Sequence, residues 1–120
     1  MAKKEPKPFS ERQLKVGEAI KRALAHILQH DIHEPFLEQN PVVISEVRMT
    51  ADLKTAKIYI LPMIGAKDSH KAFVENITAI AHKLKQHLAK QIKLRYTPEL
   101  LFYLDYSFEH VSHINSLLKR

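Results

Sequence analysis

The stretch FVENITAIAHKLKQHLAKQIKLRYTPELLFYLD, residues 73–105, decides the fold. Apolar residues at Phe73, Ile77, Ile80, Ala81, Leu84, Leu88 and Ile92 are spaced by three or four, one face of a helix for about five turns. Lys83, Lys90 and Lys93 lie across the back of that helix with His82 and Gln86 between them, while Lys85 and His87 flank the stripe. No Asp or Glu occurs between Glu75 and Glu99. Thr97-Pro98 breaks the pattern, since proline lacks the N–H that a helix interior needs, and Leu100 to Leu104 reads as a buried strand. The expectation is a long helix whose front packs on a sheet and whose acid-free, basic back meets solvent.

Working back toward the N-terminus, residues 1–8 carry Lys3, Lys4 and Lys7 with Pro6 and Pro8, and read as a flexible basic arm. Ser10 and Gln13 have the spacing of a capping box, with Phe9 and Leu14 placed as a hydrophobic staple. Val16, Ile20, Ala23, Leu24, Ile27 and Leu28 form an inward stripe, predicting a helix to about His30. A loop follows from Asp31 to Pro41, where Pro35 and Pro41 both oppose helix. Val42–Met49 and Thr55–Leu61 read as strands, and their short connection makes them antiparallel. Pro62 and Gly65 mark a turn, Asp68 or Ser69 caps the long helix, and the last strand, ending at Asp105, rejoins the sheet by a helical crossover. Val111, Ile114, Leu117 and Leu118 have helical spacing, so residues 107–120 form a tail that is either a short amphipathic helix or frayed. Residues 9–106 then make one α+β domain with helices on one face of a three-stranded sheet.

Composition narrows the function. A single domain is the default for 120 residues, and 45% apolar content is ordinary for a soluble globular chain. Nineteen Lys and Arg against thirteen Asp and Glu give +6. That balance favours a polyanionic partner, nucleic acid being the commonest, while charge alone leaves a merely basic, soluble protein as an equal alternative. The absence of cysteine excludes disulfides and thiolate-bound metal and fits a reducing cytoplasm. With no long apolar run and no apolar leader, neither a membrane span nor secretion is expected.

Catalytic constellations fare poorly. His26 and His30 are one turn apart, with His33 and Glu34 close behind, and His110 and His113 make a second pair. No His-Glu-x-x-His is present, and ordinary surface histidines explain them better than a metal. No serine has a Gly-x-Ser-x-Gly context, and two glycines, Gly17 and Gly65, cannot build a phosphate-cradling loop. The chain is expected to be no enzyme and to hold no cofactor. RNP-type aromatics are missing as well, which leaves the basic helix face as the binding feature.

The run Leu94-Arg95-Tyr96-Thr97-Pro98-Glu99-Leu100-Leu101-Phe102-Tyr103-Leu104-Asp105 resembles the LR-x-x-PEL-x-F-x-x-D run of the bacterial ribosome-binding factor A family. Val47 to Tyr59 is similar to that family's V-x-x-S-x-DL-x-x-A-x-V-Y hairpin. Arg12, Val16, Ile20, Leu24, Ile27 and Leu28 keep its first-helix phase, and Ile114 to Leu118 resembles its close. The resemblance implies a KH-like domain of type II topology, helix–strand–strand–helix–strand, without the Gly-x-x-Gly loop of ordinary KH domains. It further implies a non-catalytic factor in late maturation of the small ribosomal subunit. Such a factor binds 16S rRNA on the free 30S particle near the decoding-region helices, leaves before translation and is linked to growth in the cold. The family's Ala-x-Gly kink falls here at Ile80-Ala81-His82, where glycine is absent, so a milder kink is expected.

Taken together, these readings make Lys83, Lys85, Lys90, Lys93 and Arg95 the leading phosphate contacts. Lys15, Arg22, Arg48, Lys54 and Lys57 stand second, and Arg95 has a rival role capping the helix C-terminus. A monomer is expected. The alternative is a general nucleic-acid-binding or protein-interaction adaptor.

Overall fold

The structure, a computed structural model, describes residues 9–62 and 69–105. The arm at 1–8, the tail at 107–120, the Gly65 turn and the Asp68 cap lie outside the described residues. Helix α1 (Glu11–His26) runs into one π turn (Ile27–Asp31), followed by a short α2 (Pro35–Gln39). Strands β1 (Val42–Met49) and β2 (Thr55–Pro62) precede α3 (His70–Ala79), α4 (Ala81–Gln91) and β3 (Glu99–Leu104). The sheet order is β1-β2-β3, with β1 and β2 antiparallel and β2 and β3 parallel. This is the expected α+β arrangement.

Local chemistry fixes the helix starts. Ser10 Oγ accepts from the Gln13 backbone N–H (3.0 Å) while Ser10 N–H donates to Gln13 Oε1 (2.8 Å), closing the capping box. Gln13 Nε2 also donates to the Met49 carbonyl (2.9 Å), tying the start of α1 to the end of β1. Phe9 and Leu14, at the staple positions, are both exposed. Ser69 is the N-cap of α3, accepting from Ala72 N–H (3.2 Å).

The core lies between the sheet and the helices α1, α3 and α4, which pack on its inner side. Ile20, Leu24 and Ile27 meet Ala56, Ile58 and Ile60 there, joined by Phe73, Ile77, Leu84, Leu88, Leu100 and Phe102. Each large side chain fully buried in this way contributes about 1.5–3 kcal/mol of transfer free energy. α1 crosses β1 so closely that a Cβ on Gly17 would stand 2.8 Å from the Val47 carbonyl oxygen.

Four local departures from the sequence expectation have physical reasons. First, β1 carries an irregularity that the strand reading does not include: its register shifts between Ile44 and Glu46, leaving Ser45 as the extra residue of a bulge. Lys21 Nζ donates to the Ser45 carbonyl (3.1 Å), and Ser45 Oγ donates to Asp105 Oδ2 (2.7 Å), so the bulge joins α1 to the end of β3. Second, α1 extends through a π turn in which Ile32 N–H donates to the Ile27 carbonyl (3.0 Å), and the five-residue step buries both isoleucines. Third, the expected Asp31–Pro41 loop contains α2, because Pro35 sits in its first turn, where a missing N–H costs nothing. Fourth, the single long helix is two helices. Ile80, at φ −102° and ψ 11°, ends α3 and precedes α4, and its N–H donates to Ile77 three residues back (3.2 Å). That backbone region is open to any L-residue, so the break falls inside the expected Ile80-Ala81-His82 window without glycine.

Gly17→Ala tests the α1–β1 approach. Overpacking against a backbone carbonyl costs about 1–3 kcal/mol, against up to about 1 kcal/mol of helix propensity gained. The expected outcome is a lower urea midpoint with an unchanged slope; an equal or higher midpoint would show that the two elements have room to separate.

Candidate nucleic-acid interface

The ten predicted cations do not form one face. Lys83 and Lys85 lie on α4, Lys90 in its last turn, and Lys93 beyond its end at Gln91, in the connection to β3. Arg95 follows in the same connection. Lys15 and Arg22 are exposed on the outer side of α1. Arg48 and Lys57 are register partners on β1 and β2, exposed on the side of the sheet away from the helices, and Lys54 stands in the turn between those strands.

Acid missing from the α4 sequence returns through space. Glu34, from the segment between the π turn and α2, accepts from Lys83 Nζ at 2.7 Å. Glu99, at the start of β3, accepts from Lys85 Nζ at 2.5 Å. The Lys85 hydrogen bond and charge hold the Glu99 carboxyl below its ordinary range. Asp31 reaches the same helix, accepting from Gln91 Nε2 at 3.0 Å. The expectation of an uncompensated back face is therefore corrected: Lys83 of that face is paired, as is Lys85 at its flank. Sequence distance hid this, since Glu34 and Lys83 are 49 residues apart. Arg48 is paired too, its Nε donating to Glu46 Oε2 (2.7 Å), a hydrogen bond that raises the Arg48 pKa further.

Lys90, Lys93, Arg95 and Lys54 make no ion pair among the described residues, and neither do Lys15, Arg22 and Lys57. The first three follow the chain from the last turn of α4 (Lys90) through the connection to β3 (Lys93, Arg95), and Tyr96 links the end of this row to Lys54 in the β1–β2 turn. There Arg95 Cζ lies 5.6 Å and Lys54 Nζ 5.5 Å from the centre of the Tyr96 ring. Arg95 engages this ring and makes no hydrogen bond to a helix carbonyl among the described residues, so its capping role is not realised there. Flexible ammonium and guanidinium groups in such a row match the spaced charges of a folded RNA backbone, with little capacity to read bases.

The open side of the sheet carries a second feature that sequence reading missed. Tyr59 and Tyr103 stack across β2 and β3 with ring centres 5.6 Å apart, and the Arg48 guanidinium lies 5.2 Å from the Tyr59 ring centre. Val43, Leu101 and Tyr103 are exposed on the strands around them. The signal was the alternation itself: each of these residues is out of phase with the buried positions of its strand. Among the described residues, no helix is long and apolar enough to cross a membrane.

Comparison with known proteins places the chain. The family described as "Ribosome-binding factor A" matches residues 12–118. The chain is 39% identical to the ribosome-binding factor A of Pelagibacter ubique over 121 residues, covering 100% of this chain and 98% of that protein. It is 39% identical to that of Dinoroseobacter shibae over 114 residues, 92% of this chain and 82% of the relative. In fold it is similar to the crystal structure of ribosome-binding factor A from Thermus thermophilus, with a TM-score of 0.64 and 22% identity across 77% of this chain and 94% of that one. A homology model of the Thermus thermophilus factor fitted into a cryo-EM map of its 30S complex gives a TM-score of 0.62 at 20% identity, over 78% of this chain and 96% of that one. With the family matched across nearly all of its length, this chain belongs to the ribosome-binding factor A family.

Proposed function

We propose that the protein is a non-catalytic factor for late maturation of the small ribosomal subunit, and that it binds 16S rRNA on the free 30S particle as a cytoplasmic monomer. The observation that carries the binding mode is the path Lys90–Lys93–Arg95–Lys54, which keeps its charge after every ion pair among the described residues is subtracted. Family membership supports the target, since the Thermus thermophilus relative has been fitted into a 30S complex. In this reading the four cations meet phosphates along one folded segment of RNA. Lys83 and Lys85 join them by exchanging Glu34 and Glu99 for phosphate oxygens. Exposed pairs of this kind are worth only about 0–1 kcal/mol, so the exchange is easy. Lys15, Arg22 and Lys57 add diffuse attraction, and Arg48 the least, because Glu46 holds it.

A second reading rests on the exposed apolar side chains of the open sheet face, Val43, Leu101 and Tyr103, as a dock for a protein. Particle binding that persists in high salt and after nuclease treatment would select it.

Reversal of the basic path tests the main reading. Wild-type protein is expected to co-sediment with free 30S particles and not with 50S or 70S. Lys90→Glu with Lys93→Glu and Arg95→Glu is expected to abolish that while the circular dichroism melt stays within a few degrees, because all three side chains are exposed. A triple variant that still travels with 30S would show that RNA is met elsewhere. The acid pairs give an independent check. Glu34→Gln with Glu99→Gln releases Lys83 and Lys85 and should tighten 30S binding about 2- to 10-fold at moderate salt. Unchanged or weaker binding would mean that these two lysines stay away from phosphate.

A further inference from the structure

Beside Tyr96 the surface sinks into a concavity of about 260 Å³, lined by Arg12 and Val16 of α1, Ala51, Asp52 and Leu53 of the β1–β2 turn, and Leu94, Arg95 and Tyr96 before β3. Three segments remote in sequence build it. Its apolar wall is Val16, Leu53 and Leu94, each packed against the core and still partly exposed. Its rim carries Arg12 and Arg95, with Lys54 adjoining across Tyr96, and Arg12 makes no ion pair among the described residues. Tyr96 is 54% exposed, so much of its ring is open to a ligand.

The backbone around this concavity is held in place. Leu53 has φ 62°, the only positive φ outside glycine among the described residues, in a region that a branched side chain rarely adopts. A glycine there would relieve the conformation but remove the apolar wall. Asp52, the one carboxylate in the lining, has its Oδ1 occupied by the Lys54 backbone N–H (3.0 Å) and the Thr50 hydroxyl (2.7 Å). Those hydrogen bonds keep its pKa below the ordinary carboxylate value and use its Oδ1 to fix the turn. Strain of this sort, kept where a ligand can reach it, points to a binding role.

An aromatic ring flanked by cations, next to a partly apolar hollow, suits a planar base with a charged backbone. Unpaired nucleotides stack on exposed aromatic rings while basic side chains track the phosphates. A duplex offers no free base face and would meet only the cations. The structure assigns this concavity as a subsite for one unpaired nucleotide of the bound RNA: the base stacks on Tyr96 against Val16, Leu53 and Leu94, and Arg12, Arg95 and Lys54 hold the flanking phosphates. The assignment rests on the RNA-binding reading above and deepens it, because the phosphate path from α4 ends at a site that prefers single-stranded RNA.

The test uses the full chain and two probes, a fluorescently labelled single-stranded hexa-adenylate and an RNA duplex of equal phosphate number, titrated at one moderate salt concentration. Tyr96→Ala, at a half-exposed position outside the core, is expected to weaken single-strand binding about 5- to 100-fold and to leave duplex binding within about 2-fold. Tyr96→Phe should restore single-strand binding, because stacking needs the ring and not the hydroxyl. Arg12→Gln should weaken both probes. Single-strand affinity that ignores Tyr96→Ala, or that falls in step with duplex affinity, would overturn the subsite. A wild-type protein that co-sediments with 30S yet ignores the hexamer overturns the subsite alone. One that binds neither 30S nor RNA overturns the parent reading as well.

Discussion

Helix α1 crosses β1 at a separation that leaves no room for a side chain at Gly17, and the placement of the later elements follows from that contact. Gln13 holds one end of the crossing through the Met49 carbonyl, and Lys21 holds the other through the Ser45 carbonyl. With α1 fixed against the strand, its π-turn extension buries Ile27 and Ile32 beside α4 and directs Asp31 and Glu34 along that helix. The ion pair that neutralises Lys83 is thus a consequence of how the first helix sits. Charge compensation at Lys83 and packing of α1 are one structural fact.

Much of this was legible in the sequence because it is set by neighbours in the chain. The capping box at Ser10 and Gln13, the inward stripes of α1 and of residues 73–92, and the antiparallel pair all depend on spacings within a few residues. The family likeness was legible for another reason: Leu94-Arg95 and Pro98-Glu99-Leu100 fix the turn from α4 into β3. What escaped reading depends on contacts between distant segments. The Ser45 bulge is stabilised by Lys21 and Asp105, and Leu53 takes its left-handed backbone where its side chain packs on the core. Pro35 reads as a helix breaker in sequence, although at a helix start it is harmless.

The basic face was half legible. Counting along α4 found the lysines but not their partners, because Glu34 and Glu99 come from other elements. Subtracting those pairs moves the centre of free charge away from the middle of α4, toward its C-terminal end and the β1–β2 turn. This relocation joins Lys90, Lys93 and Arg95 through the exposed Tyr96 to Lys54 of the β1–β2 turn, whose distance in sequence offers no reason to group it with them. The charge therefore lies along a corner of the domain where the helix layer meets a sheet turn, and the open sheet face remains a separate surface.

The central claim is electrostatic: a short row of unpaired cations holds the protein on ribosomal RNA by displacing counterions. The most direct measurement is the equilibrium affinity for free 30S particles over a series of monovalent salt concentrations. With the four free cations alone engaged, the slope of log K against log salt should be about −3 to −3.5, and steeper with Lys83 and Lys85 also on phosphate. A slope near zero would contradict the account, because binding would then draw its free energy from surfaces other than this one.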